Sequence, residues 1–341
     1  LKSTFTCEAE NKSSQEGNIL FTYLDVYFRI HSEQLLNLGL VLGEARITEI
    51  AMSWTRLIRF QDDTGATRFG EPSIESAEDL EVLLEKGELY ADEFEGTSPF
   101  ALTGRGSKRR VKKILGILTP EDVPIVKCIG LNYMKHIQEG GRTPPPYPSV
   151  FIKARTSVAS YDEDVPVPKI AQKDQCDYEG ELSIVIGKTG KNIKKEEALD
   201  YVAGYVSSND VSSRTWQRDP AYAGGVPQWC FSKGFDKYAP LGPIMASPEL
   251  VGDAGNLRIQ TFVNGQSRQD SNTNDLLFDV KEIISFISQG TTLEQGTVIM
   301  TGTPSGVAFG MKPKPVWLKD GDIVEVRIEQ LGSTRNRMAF E

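Results

Sequence analysis

Apolar and polar positions divide this chain into three stretches of different texture. From about residue 120, short runs rich in β-branched and apolar side chains alternate with Gly- and Pro-containing turns, at 125–130, 149–153, 181–187, 202–207, 258–263, 298–301 and 323–328. Runs of that length, bounded by turn residues, predict strands. Helical spacing is confined to 194–201 and 278–288. The pattern predicts a mostly-β domain with peripheral helices rather than an alternating βαβ sheet. Residues 52–118 read differently. An apolar run at 54–60 meets Asp63, Thr64 and Gly65 and then a second short run, which predicts a hairpin. Residues 76–90 place Leu80, Leu83 and Leu84 on one side of a helix, with Ser76 as N-cap and Asp79 three residues on. The Gly-, Ser- and Lys/Arg-rich stretch 96–113 reads as a connector. Residues 1–51 fit neither texture: 1–18 is polar and expected to be flexible, 21–30 is strand-like, and 33–50 suits a helix or a strand. The expected organisation is an N-terminal extension (1–51), a small β-rich domain (52–118) and a catalytic domain (119–341), an α+β fold that is mostly β.

Charge and rare residues narrow the function. A formal net charge of −9 argues against a nucleic-acid partner. No run of about 18 apolar residues occurs, so no membrane span is expected. The first 51 residues carry more acidic than basic side chains, unlike a presequence, and lack a secretory signal pattern. Cys7, Cys128, Cys176 and Cys230 form no CxxC pair, which suits free thiols in a reducing compartment, the cytoplasm or a mitochondrion. His31 and His136 are the only histidines, which excludes a multi-His metal site.

Five motifs carry the candidate chemistry. In Tyr178-Glu179-Gly180-Glu181-Leu182, a strand would put Glu179 and Glu181 on one face. Two ionised carboxylates that close repel, and a hard divalent cation removes the cost; a solvated edge strand is the alternative. Asp210, ending the run 205–210, adds a third acid. His136 and Glu139 stand one helical turn apart, so the carboxylate could orient the imidazole toward water, unless the pair is an incidental surface contact. Glycines and prolines flank that short helix, as a lid would require. Arg214 and Gln217 could fork onto a carboxylate, and Lys233, between Phe231 and Phe235, could stabilise an enolate; each could equally be a salt-bridge partner. The loop 301–307 could form an anion-binding concavity or a plain turn.

Taken together and in this order, GLNYMKHIQE, YEGELSIVIG, SSNDVSSRTWQ, SKGFD and TGTPSG resemble the fumarylacetoacetate hydrolase family from about 125 to 328, with a looser likeness from Met52. The resemblance implies a mixed β-roll catalytic domain in a homodimer. It implies Mg²⁺, Mn²⁺ or Ca²⁺ on Glu179, Glu181 and Asp210. It implies a water-activating dyad of His136 and Glu139 on a lid, with Arg214, Gln217, Lys233 and Thr303 binding the carboxylate and oxyanion of a small oxo-acid. Larger members have a fourth acidic ligand where this chain has Ile129, which places the chain with the shorter branch of acylpyruvate hydrolases and oxaloacetate decarboxylases. Thr215 stands where relatives often have Asp, and the loop 219–229 could shape a distinct pocket. The expected reaction is cleavage of a C–C bond in a 2-oxo or β-dicarbonyl acid, by hydrolysis or decarboxylation. Isomerase or dehydratase chemistry and non-catalytic ligand binding on the same fold are the alternatives.

Overall fold

The computed structural model describes residues 54–139, 141 and 143–341, with Glu139 described in its backbone only. His31 and the strand and helix expectations at 21–30 and 33–50 therefore lie outside the described residues. β1 (Arg56–Asp62) and β2 (Thr67–Pro72) form the expected hairpin. Asp62 fixes its turn: Oδ1 accepts the Thr64 N–H at 2.9 Å and the Ala66 N–H at 3.1 Å, and Oδ2 accepts Arg68 Nε at 2.5 Å. The Thr64 hydroxyl also donates to Oδ1, at 2.5 Å, and it foremost, then Arg68, holds the Asp62 carboxyl well below the usual range.

Helix α1 (Asp79–Lys86) is shorter than the expected 76–90. Ser76 and Asp79 do pair, Asp79 Oδ2 accepting the Ser76 N–H at 2.9 Å, but in a turn ahead of the helix. Gly87, at φ 68°, stops it by turning its N–H back to Leu83 and Leu84. The connector expected at 96–113 is a correction. Most of it is strand β4 (Gly104–Leu115), paired with β1 and with β3 (Tyr90–Glu95). Val111 and Ile114 bury one face, while the basic side chains meet acids across the ladder, Arg109 Nε lying 2.9 Å from Glu93 Oε2. Cross-strand charge pairing makes a strand of a sequence that looks like a solvated linker.

The remaining principal strands are β5 (Val126–Gly130), β6 (Ser149–Lys153), β7 (Val165–Val167), β8 (Gly180–Ile186), β9 (Val202–Asn209), β10 (Ile244–Ala246), β11 (Arg258–Val263), β12 (Gln266–Asn272), β13 (Val298–Met300), β14 (Ile323–Ile328) and β15 (Gly332–Phe340). Helices α2 (Met134–Glu139), α3 (Arg214–Arg218), α4 (Trp229–Lys233) and α5 (Val280–Ile287) are short. One sheet runs β2-β3-β4-β1-β10-β9-β8-β13-β5-β6, and the extra β1–β2 ladder closes β1 to β4 into a small barrel-like ring. A second runs β12-β11-β14-β15-β7. The β13–β5 and β15–β7 ladders are parallel and the others antiparallel, so the α+β, mostly-β expectation of a mixed β architecture holds.

β8 lies at the centre. Leu182, Ile184 and Ile186 point into one apolar cluster with Ile259, Val326 and the Ile283–Ile284 face of α5, while Val185 points into another with Val206 and Met300. A strand buried on both faces explains why its sequence is a nearly continuous apolar run after Glu181. The expected helix at 194–201 is a 3₁₀ segment, Lys195–Tyr201. Among the described residues no helix is long and apolar enough to cross a membrane.

Candidate active site

The β8–β9 ladder assembles the acids. It pairs Gly180 with Asn209, and it continues as the Asp210 N–H donates to Glu179 O at 2.8 Å. Opposed residues on antiparallel strands share a face, and so do residues two apart. Glu179, Glu181 and Asp210 therefore converge, and one carboxylate oxygen from each lies within 4.8 Å of the others. Asn209 Oδ1 accepts the Glu179 N–H at 2.9 Å and locks that register.

Three cations surround the triad. Lys233, the last residue of α4, donates to Glu179 Oε2 at 2.8 Å, Asp210 Oδ2 at 2.6 Å and Ser212 Oγ at 2.7 Å. Lys153 Nζ lies 2.5 Å from Asp210 Oδ1, with both side chains fully buried, and also donates to Tyr238 O. Arg214 opens α3 and donates through Nη2 to Glu179 Oε1 at 2.6 Å, through Nε to Asp177 Oδ2 at 2.7 Å and through Nη1 to Gln217 Oε1 at 3.0 Å. Asp177 also accepts the Ala308 N–H at 2.7 Å and the Phe309 N–H at 3.1 Å, tying this corner to the loop after β13.

Three buried acids and the part-buried Glu179 thus face three cations, and Glu181 is the acid held by a backbone donor instead, the Gly302 N–H at 2.7 Å from Oε2. Burial pushes its carboxyl well above the usual range, and Asp210 and Glu179 push it further. Glu179 goes the other way: burial would raise it, but Lys233 and Arg214 outweigh burial and hold it at about 2. Burial would lower the Lys233 ammonium, but Asp210 and Glu179 keep it above its ordinary value. With all four acids ionised, this all-oxygen donor set would carry one unbalanced negative charge, which fits a hard divalent cation; a dication there would leave the cluster one charge positive, ready for an anion.

These groups open onto a cavity of 430 Å³. Glu179, Glu181, Arg214, Gln217, Lys233 and Thr303 line it, and so does His136, from the single-turn helix α2. Asp210 lies beneath, screened by the two lysines. The Glu139 side chain lies outside the described residues. The Thr303 hydroxyl is engaged in the protein, donating to Gly180 O at 3.0 Å and accepting Gln269 Nε2 at 2.8 Å. Sequence reasoning misses Lys153, Asp177, Asn209 and Gln269. A signal for Asp177 exists, because it continues the Glu181, Glu179 alternation two residues back.

Comparison with known proteins agrees with this architecture. Residues 125–339 match the family model described as fumarylacetoacetate (FAA) hydrolase C-terminal. The chain is 34% identical over 327 residues to a protein of Xenopus laevis named oxaloacetate tautomerase fahd2, mitochondrial, covering 90% of this chain and 98% of the relative. It is 40% identical over 284 residues to the caffeoylpyruvate hydrolase of Neonothopanus nambi, covering 81% of this chain and 89% of the relative. Among solved structures, the 2-hydroxyhepta-2,4-diene-1,7-dioate isomerase of Mycobacterium marinum superposes with a TM-score of 0.67 at 29% identity, over 84% of this chain and 99% of that one.

Proposed function

The chain belongs to the fumarylacetoacetate hydrolase family, and on that premise we propose that it is a divalent-metal-dependent enzyme that hydrolyses a C–C bond in acylpyruvate-type 2-oxo acids. One observation carries this reading: three carboxylates converge within 4.8 Å at the floor of a cavity that His136 and Lys233 also line. Glu179, Glu181 and Asp210 would hold the cation, Mg²⁺ being the first candidate for an all-oxygen site. When bound, it supplies Lewis-acid polarisation of the substrate's carbonyl oxygens.

The chain's own residues do the rest. Arg214 has five N–H donors and uses three of them on Asp177, Glu179 and Gln217, so two remain for the substrate carboxylate. His136 takes a proton from water, which adds to the carbonyl of the acyl group, with Glu139 orienting the imidazole. The C–C bond then breaks, its electron pair passing to the pyruvate fragment as an enolate that Lys233 stabilises as a hydrogen-bond donor. Protonation of that enolate by the His136 imidazolium returns the site to its starting state. One water is consumed and two acids are released.

A second reading is enol–keto interconversion or decarboxylation of oxaloacetate, which needs the same enolate stabilisation but no attacking water. It is favoured by the Xenopus relative, which is named as an oxaloacetate tautomerase and aligns over 98% of its length. Turnover of an acylpyruvate and of oxaloacetate, each with Mg²⁺ and after chelation by EDTA, tests both readings. Mass analysis separates them, since hydrolysis splits the substrate, decarboxylation releases CO₂, and tautomerisation conserves mass. Turnover that survives complete metal removal would sink the mechanism.

A further inference from the structure

Glu179 and Glu181 mark one part of the cavity wall, and beyond them three aromatic side chains share the lining with aliphatic residues and with Arg218 and Lys312. Trp229, Phe151 and Phe309 line it together with Pro227 and Val307. At 430 Å³ it falls within the range, roughly 300–1,000 Å³, that encloses drug-sized ligands, more than a four-carbon oxo-acid fills. The aromatic wall starts at the reacting end: Lys233 Nζ lies 5.3 Å from the Phe151 ring centroid, and Phe151 meets Trp229 edge-on at 5.3 Å and 88°. The indole lies against the backbone of Gly130, where an added Cβ would come within 2.1 Å of it, so only glycine leaves room for the ring. Phe309 is set by its N–H bond to Asp177, carries the Arg218 guanidinium 4.8 Å from its centroid, and remains 43% exposed.

Resting on the acylpyruvate reading above, we propose that this wall is an aryl subsite and that Trp229 sets its specificity. The preferred substrates would then be aroyl- or arylacryloyl-pyruvates, whose planar group covers the Trp229 and Phe309 rings. Short-chain acylpyruvates and oxaloacetate would leave those rings wet.

The test compares kcat/KM for benzoylpyruvate and acetylpyruvate with the whole 341-residue chain loaded with Mg²⁺. Calorimetric affinities of the same two acids for the His136→Ala variant give a readout independent of turnover. Wild type should prefer the benzoyl compound about tenfold or more, the scale of one well-formed aromatic contact. Trp229→Ala should remove about that factor for benzoylpyruvate and leave acetylpyruvate nearly unchanged, Trp229→Phe should restore most of it, and Gly130→Ala should displace the indole and mimic the alanine variant. Equal use of both acids by wild type, or equal losses on both in Trp229→Ala, overturns the aryl subsite. If neither acid is turned over with or without metal, the functional reading fails, and the calorimetric preference still decides the subsite.

Discussion

Glu181→Gln and Asp210→Asn each remove one carboxylate charge from the same cluster, yet the ion pairs around them require opposite effects on the metal-free protein. Asp210 lies between two lysines, 2.5 Å from Lys153 Nζ and 2.6 Å from Lys233 Nζ, with all three side chains buried. Neutralising it leaves Lys153 with no carboxylate and Lys233 with Glu179 alone, and breaking a buried pair costs about 3–5 kcal/mol. Glu181 has no matching cation, and a glutamine keeps an oxygen for the Gly302 N–H. Its carboxyl is raised above the ordinary 4.5, so over the interval above that value the folded state holds a proton that the unfolded state has lost. Stability from this group therefore falls as pH rises, by about 1.4 kcal/mol per pH unit within the interval, and the glutamine variant escapes that loss. At roughly 1.5–2 °C per kcal/mol for a chain of this length, Asp210→Asn should lower the Tm by about 5–10 °C. Glu181→Gln should raise it, and by more as the pH climbs above the ordinary carboxyl value of 4.5. Thermal unfolding by circular dichroism in EDTA measures both. Saturating Mg²⁺, at about 100 times its Kd, should add roughly 2.7 kcal/mol to wild type and little to either variant. If Glu181→Gln destabilises the metal-free protein as Asp210→Asn does, the charge census behind the proposed metal site is wrong.

Three further outcomes follow from single contacts. His136→Ala should reduce acylpyruvate hydrolysis by about 10²–10⁴-fold while leaving the calorimetric Mg²⁺ affinity unchanged; a turnover number within a few-fold of wild type refutes its role as base. Asp177→Asn withdraws the charged partner from Arg214 Nε and weakens the corner that holds Phe309, so stability should drop by about 1.5–3 kcal/mol in urea unfolding and the KM for the oxo-acid should rise, with unchanged values for both counting against it. Asp62→Asn should destabilise the hairpin at pH 7. Because hydrogen bonds from Thr64 and Arg68 depress the folded-state carboxyl, that stabilisation is present above its ordinary 3.8 and fades as pH falls below it, so denaturation curves of variant and wild type should approach each other in acid and stay parted at neutrality.

Much of the site was readable because strand chemistry has a period of two. Glu179 and Glu181 share a face by spacing alone, and the apolar run behind them marks a strand buried on both sides. The same alternation taken one step further back reaches Asp177, the partner of Arg214. What period two cannot supply is register: Asp210 meets the other acids only because Gly180 pairs with Asn209, a long-range choice with no local signature. Lys153 was hidden for a different reason. In β6 the apolar Val150 and Ile152 face outward, each 45% exposed, while Phe151 and Lys153 point in. Alternation read by hydropathy puts that lysine in water; its buried partner Asp210 reverses the assignment. The basic strand β4 misled in the same way, since its acidic complement lies on another strand.

The ion-pair geometry also narrows which group can move a proton. Lys233 is kept charged by Asp210 and Glu179, so it donates and does not accept. Glu179 is held at about 2 by Lys233 and Arg214, too weak a base to draw a proton from water. Arg214 stays charged, its guanidinium raised by Asp177 and Glu179 once the opposing effect of burial is offset. Glu181 accepts the Gly302 N–H through Oε2 and stands within 4.8 Å of the other two acids, so a cation shared by the triad would engage its carboxylate. Of the polar side chains that line the cavity, the imidazole of His136 is the one whose chemistry still allows it to accept a proton and return it within a turnover. All three Lys233 N–H donors are spent on Glu179, Asp210 and Ser212, so serving an enolate oxygen requires it to release one of them. A dication on the carboxylates would supply the positive charge those acids otherwise draw from the lysine. Metal and lysine are thus better regarded as sharing one set of acids than as independent catalysts, which is why the charge of Glu181, rather than the number of ligands, is the feature on which the proposed chemistry turns.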